Sequence, residues 1–171
     1  MKTIKRPSTE EYNTYFQHYI DLTPEEALKA MELSMDEASE LFELLGNEKG
    51  LLKYAPTKWT INEVISHVTD CERIFNYRAL SFSRGDLSLP GFDHDEYVKH
   101  CGANDRTTKE LIEELAIVRK ATITLFNSFS ETQLTISGKA NGNAISVRAL
   151  AYLIAGHQRH HFQVIKEKYL V

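Results

Sequence analysis

The sequence predicts an all-α protein: a four-helix bundle with a short extra helix at the N-terminus. Three observations predict it. Glycine and proline fall almost entirely between long segments, in GNEKG (46 to 50), APTKW (55 to 59), RGDLSLPGFD (84 to 93) and SGKANGNA (137 to 144). The segments between them repeat apolar residues at the three-and-four spacing of a helix. Each segment also opens on a serine or threonine suited to cap one.

Taken in order, the extra helix is expected to begin near Ser8. The first long helix is expected to have Thr23 as N-cap and Pro24 at its first position. Glu25 and Glu26 then fall in the first turn, where carboxylates meet the positive end of the helix dipole, and the helix runs to about Leu45. The second opens on a capping box, Thr60 with Glu63, and carries Ile61, Val64, Ile65, Val68 and Phe75 on one side as far as Phe82. A further box, Thr107 with Glu110, opens the third, whose Leu111, Leu115, Val118, Ile123, Leu125 and Phe126 continue to Phe129. The last helix is expected from Ser146 to Tyr169. LTISGK (134 to 139) suits a short extended piece, and DHDEYVKH (93 to 100) a helical turn or two. Four such helices bury their apolar stripes by packing against one another, which is a bundle.

A chain of 171 residues is the usual size of one domain, so a single domain spanning 1 to 171 is expected. Its net charge of -4 provides no basic field to attract nucleic acid or an anionic membrane. The longest apolar stretch, ALAYLIAG at 149 to 156, is far short of the ~20 residues that span a bilayer. MKTIKRPS has positive charge but no apolar segment behind it, so a cytoplasmic protein is expected. Its two cysteines, Cys71 and Cys101, are then expected to be free thiols.

The chemistry concentrates in GHQRHH (156 to 161), which holds three of the seven histidines. With each residue advancing about 100° and His157 taken as zero, Leu150 falls near 20°, Val164 near -20° and His161 near 40°. His157 and His161 therefore share the inward stripe, and His160, at about -60°, stands on its edge. Their i, i+4 spacing brings the side-chain bases to about 6 Å, close enough for two imidazoles to meet on one metal ion. The helix reads HQRHH, so the glutamate of an HExxH metalloprotease is missing. His67, three residues after Val64 and four before Cys71, also lies in an apolar stripe.

Three buried imidazoles repel one another when protonated and lack donors when neutral, whereas one divalent cation satisfies all three. On spacing alone, the alternative is an ordinary hydrogen-bonded polar core. Cys71 is either a fourth ligand or a small buried residue. Asp70 and Glu72 read as salt-bridge or solvated positions. Asp93, His94 and Asp95 either close over a pocket mouth or simply cap a turn, and Trp59 reads as a staple on the helix that follows it.

KWTINEVISHVTDCERIFNYRAL (58 to 80), LPGFDHDEYV (89 to 98) and AISVRALAYLIAGHQRHHFQVIKEKYL (144 to 170), in that order, resemble the DinB/YfiT-like superfamily of metal-dependent enzymes. The resemblance extends over nearly the whole chain. It implies an up-down-down-up bundle, frequently a homodimer, with a divalent metal such as zinc or nickel held by His67, His157 and His161. It places His160 where relatives carry a residue that is not a ligand. It further implies either a hydrolase or a transferase acting on a small-molecule substrate, including low-molecular-weight thiols; the extra domain of some thiol-dependent relatives has no counterpart in the sequence. The rival expectation is a non-catalytic binding or stress-response module that a metal merely stabilises.

Overall fold

A computed structural model describes residues 2–170. Two tight turns, Thr9–Glu11 and Thr14–Phe16, lead into α1 (Gln17–Asp21), and then come α2 (Ala27–Leu45) and α3 (Ile61–Ser83). A long crossover holds β1 (Ser88–Leu89) and α4 (His94–His100) before α5 (Thr108–Ser128) and α6 (Glu131–Thr135). The hairpin of β2 (Ser137–Ala140) and β3 (Asn143–Ser146) delivers the chain to α7 (Val147–Val164), which ends in a wider π-type turn, Ile165–Tyr169. Among the described residues no helix is long and apolar enough to cross a membrane.

Three of the four long helices start where local chemistry predicts. The hydroxyls of Thr60, Thr107 and Ser146 accept from the backbone N–H groups of Glu63, Glu110 and Ala149. The fourth is a correction: α2 starts at Ala27, capped by the Glu26 carboxylate, which accepts from Lys29 N (3.1 Å) and from Ile4 N (2.7 Å). Thr23 is fully buried, and its hydroxyl donates to the Tyr152 carbonyl at 3.1 Å. A hydroxyl engaged by another helix does not cap its own, so the tertiary contact overrides the local signal. The short N-terminal helix expected near Ser8 begins there as a single 3-10 turn, Thr9–Glu11, and is interrupted before α1 resumes at Gln17.

Side-chain pairs fix the helix directions. Asn62 meets Thr108, Glu72 meets Arg119 and Asn76 meets Thr122, so α3 and α5 run parallel. Ser34 meets Gln158 and Glu37 meets Arg159, so α2 and α7 are parallel too. Trp59 meets Tyr169 and Phe75 meets His157, so α3 and α7 are antiparallel. The bundle is up-down-down-up, and the parallel α3/α5 pair is what requires the crossover of residues 84–107.

The hairpin turns on Asn141 and Gly142, whose φ angles of 52° and 76° suit a tight primed turn. Its strand β2 pairs antiparallel with β3 and parallel with β1, adding a small three-stranded sheet to the helical frame. LTISGK thus contributes the start of β2.

Two apolar clusters fill the bundle. One gathers Met31, Phe75, Phe126 and Leu150; the other gathers Leu41, Val64, Leu115 and Phe162. A polar layer separates them, containing Ser34, Glu72, Arg119 and Gln158, each at most 2% exposed. Arg119 Nε and Nη2 donate to the two Glu72 carboxylate oxygens at 2.8 Å each; Nη2 also donates to Gln158 Oε1 (2.9 Å) and Nη1 to Ser34 Oγ. Gln158 Nε2 closes the ring by donating to the Ser34 carbonyl at 2.7 Å. All four long helices therefore meet in one hydrogen-bonded layer.

Gly156 lets α1 lie directly on α7, because a Cβ there would stand 1.8 Å from the Tyr19 carbonyl oxygen. A backbone atom cannot swing aside as a side chain can. Gly156→Ala is expected to lower unfolding free energy by about 1–3 kcal/mol through overpacking. A urea midpoint equal to that of the parent protein would show that α1 moves freely.

Candidate metal centre

The register set by the polar layer places α3 and α7 so that the residue beside Glu72 and the residue beside Gln158 face each other. These are Cys71 and His157. The His67 ring centroid lies 5.2 Å from that of His157 and 4.8 Å from that of His161, while the latter two rings are 4.5 Å apart. The structure thus brings together all three imidazoles read from the sequence. His157 Nε2 and His161 Nε2 are 3.2 Å apart. Cys71 joins them: its Sγ is 3.6 Å from His67 Nε2, and the ligand atoms of His67, Cys71 and His157 all lie within 4.8 Å of one another.

Those spacings suit a cation. With M–N bonds of about 2.0–2.1 Å and an M–S bond of about 2.3 Å, two nitrogens on one tetrahedral ion are about 3.3 Å apart, and a nitrogen and a sulfur about 3.6 Å. The protonation states agree for the imidazoles. Burial, and then the neighbouring His94, pushes His67 down to about 4. Burial, followed by the surrounding histidines, pushes His161 down to about 2 and His157 well below its ordinary value. All three are neutral near pH 7, the form that binds metal. Cys71 is different: burial first and Asp70 second push its thiol up to about 12, so it holds its proton in the metal-free protein.

A cavity of ≈ 870 Å³ opens beside the cluster, a volume suited to a small molecule. His67, Cys71, His157 and His161 form part of its lining, and Tyr19, Trp59, Phe75 and Phe92 supply aromatic walls. Trp59 does more than staple α3, since its ring centroid lies 4.8 Å from that of His67. Tyr19 reaches the site because Gly156 admits α1, and its ring is 5.5 Å from that of His157.

The remaining candidates divide. The crossover carries Asp93 and His94 to the cavity, where Asp93 also caps α4 by accepting from Asp95 N and Glu96 N at 3.0 and 3.1 Å. Asp95 is exposed and takes no part in the lining. His160, whose place on the stripe's edge leaves its direction open, is absent from the cavity lining, its Nδ1 3.1 Å from His18 Nε2. Glu72 takes the salt-bridge role and Asp70 pairs with Arg73.

Sequence reasoning missed Tyr19, Phe92 and Arg78 as lining residues. For Arg78 a signal was present: eleven residues beyond His67 is about three helical turns, which returns it to within roughly 20° of the same face. Tyr19 and Phe92 lie on other elements, and no periodicity connects them to α3.

A parallel-paired helical bundle with buried histidines converging beneath a cavity defines the class of protein. Its family follows from the sequence: the DinB superfamily pattern matches residues 30–165, and the chain belongs to that superfamily. No match is found among curated proteins. Among solved structures, YfiT from Bacillus subtilis, described as "a probable metal-dependent hydrolase with an unusual four-helix bundle topology", is similar in fold. Its TM-score is 0.70 at 14% sequence identity, over 98% of this chain and 90% of that one.

Proposed function

We propose that this protein is a metal-dependent enzyme in which His67, His157 and His161 hold a divalent cation, zinc or nickel, facing a small-molecule cavity. The observation that carries the reading is the 3.2 Å approach of the His157 and His161 nitrogens, with the His67 ring against both, at the wall of that cavity. When bound, such an ion lowers the pKa of a water or thiol beside it and yields a nucleophile at neutral pH. The chain's own contribution is to present three neutral nitrogens on two rigid helices and to line the substrate space with aromatic rings that limit water. Its likeness to YfiT, described as a probable metal-dependent hydrolase, supports hydrolysis as one outcome. Transfer of a low-molecular-weight thiol to an electrophile is the other, and both use the same nucleophile activation.

The position of Cys71 favours a second reading. With Sγ 3.6 Å from His67 Nε2, it is placed to complete four protein ligands, and a four-ligand site is structural rather than catalytic. Cys71→Ser decides between them. The catalytic reading predicts that this variant keeps its metal, its cooperative unfolding and its turnover of either p-nitrophenyl esters or thiol plus monobromobimane. Loss of metal together with loss of cooperative unfolding would establish the closed site instead.

A further inference from the structure

Arg78 lines the cavity and is only 7% exposed, yet among the described residues it has no acidic partner. Among the described residues, no carboxylate oxygen lies within 4.0 Å of its guanidinium, whose single hydrogen bond is a long one of 3.5 Å from Nη2 to the Pro90 carbonyl. The other well-covered arginines are all matched: Arg119 by Glu72, Arg148 by Glu11, and Arg159 by Glu25 and Glu37. A sequestered cation without a counter-charge is costly to maintain. Desolvation accordingly pulls Arg78 below its ordinary value.

The guanidinium is nonetheless held in place. Its Cζ stands 6.0 Å from the Phe75 ring centroid and 5.8 Å from that of Phe92, and these two aromatic faces orient it without neutralising it. Phe75 also lies 5.6 Å from the His157 ring, so one phenyl ring separates the guanidinium from the histidine cluster along the cavity wall.

We propose that Arg78 anchors a carboxylate of the small molecule bound in this cavity, leaving the molecule's other end against His67, His157 and His161. The fork of N–H donors matches a planar carboxylate. A single guanidinium matches one negative charge, and Asp93 elsewhere in the lining opposes a second, which favours a carboxylate over a phosphate dianion. This inference rests on the cavity being a substrate site, but it does not require the metal.

The test is calorimetric titration of the full-length protein with 6-mercaptohexanoate and with its neutral amide, before and after chelation. The carboxylate is expected to bind about tenfold or more tightly than the amide, the difference a charge-assisted fork supplies. Arg78→Gln is expected to reduce that ratio to near one, and Arg78→Lys to retain part of it because the charge remains while the fork is lost. The comparison of the two probes on unmodified protein needs no variant to fold. A carboxylate preference that survives chelation supports the Arg78 anchor even if the metal reading fails. Equal affinities, binding of neither probe, or an unchanged preference in Arg78→Gln would overturn the anchor, whatever the metal content.

Discussion

Arg119→Leu is expected to lower the free energy of unfolding by about 3–5 kcal/mol, because it leaves the Glu72 carboxylate buried without its cation. Both side chains are at most 2% exposed, and the same guanidinium donates to Gln158 Oε1, so one substitution leaves the Glu72 charge without its cation, with only the Thr122 hydroxyl still donating to it, and leaves the Gln158 oxygen without a donor. Coulomb attraction alone does not make such a pair stabilising; the penalty of removing one member decides the size of the effect. The double variant Glu72→Met, Arg119→Leu is therefore expected to be more stable than Arg119→Leu, since it removes the stranded charge as well. Urea denaturation with linear extrapolation measures both. A single-variant loss below about 1 kcal/mol would mean that water reaches this layer and solvates Glu72.

His157→Ala is expected to strip the metal. His157 is 7% exposed and contacts both His67 and His161, so its removal takes the centre out of the donor set. The affinity loss should exceed the ~100-fold that follows loss of an outer partner of a ligand. Metal that binds only the native state raises apparent stability by mass action, so chelator is expected to lower the melting temperature of the parent protein and to leave that of His157→Ala unmoved. Equal chelator shifts in both would place the ion elsewhere.

Much of this was legible in the sequence for local reasons. Three capping side chains announced three helix starts, and the 100° step separated His157 and His161 from His160. The same step applied to α3 selects His67 and would have selected Arg78, since all lie on two regular helices where spacing translates into direction. What was not legible depends on contacts between distant residues. Glu72 and Arg119 are 47 positions apart, and nothing in either helix's periodicity pairs them. Thr23 carried a sound capping signal that the Tyr152 carbonyl overrode. Gly156 reads as a weak point of an apolar helix until Tyr19 is laid on it. The Asn141-Gly142 pair lies within a glycine-rich break in the helical pattern, and asparagine-glycine between short extended pieces is also a hairpin signal, which the φ angles of 52° and 76° bear out.

The two cores and the layer between them account for the site's position. Polar residues on all four helices meet at one level, and the histidines and Cys71 occupy the α3/α7 side of that level, beside the cavity. The same layer that sets helix register therefore sets the distances between the proposed ligands, so Arg119 variants that still fold are also expected to bind zinc less tightly than the parent protein.

The central claim is that His67, His157 and His161 form one divalent-metal site. Elemental analysis tests it most directly, on protein purified without an affinity tag or added metal, beside His67→Ala and His161→Ala. The expected result is about one equivalent of zinc or nickel per chain in the parent protein and its loss in both variants. Substoichiometric metal that neither variant reduces would contradict the claim.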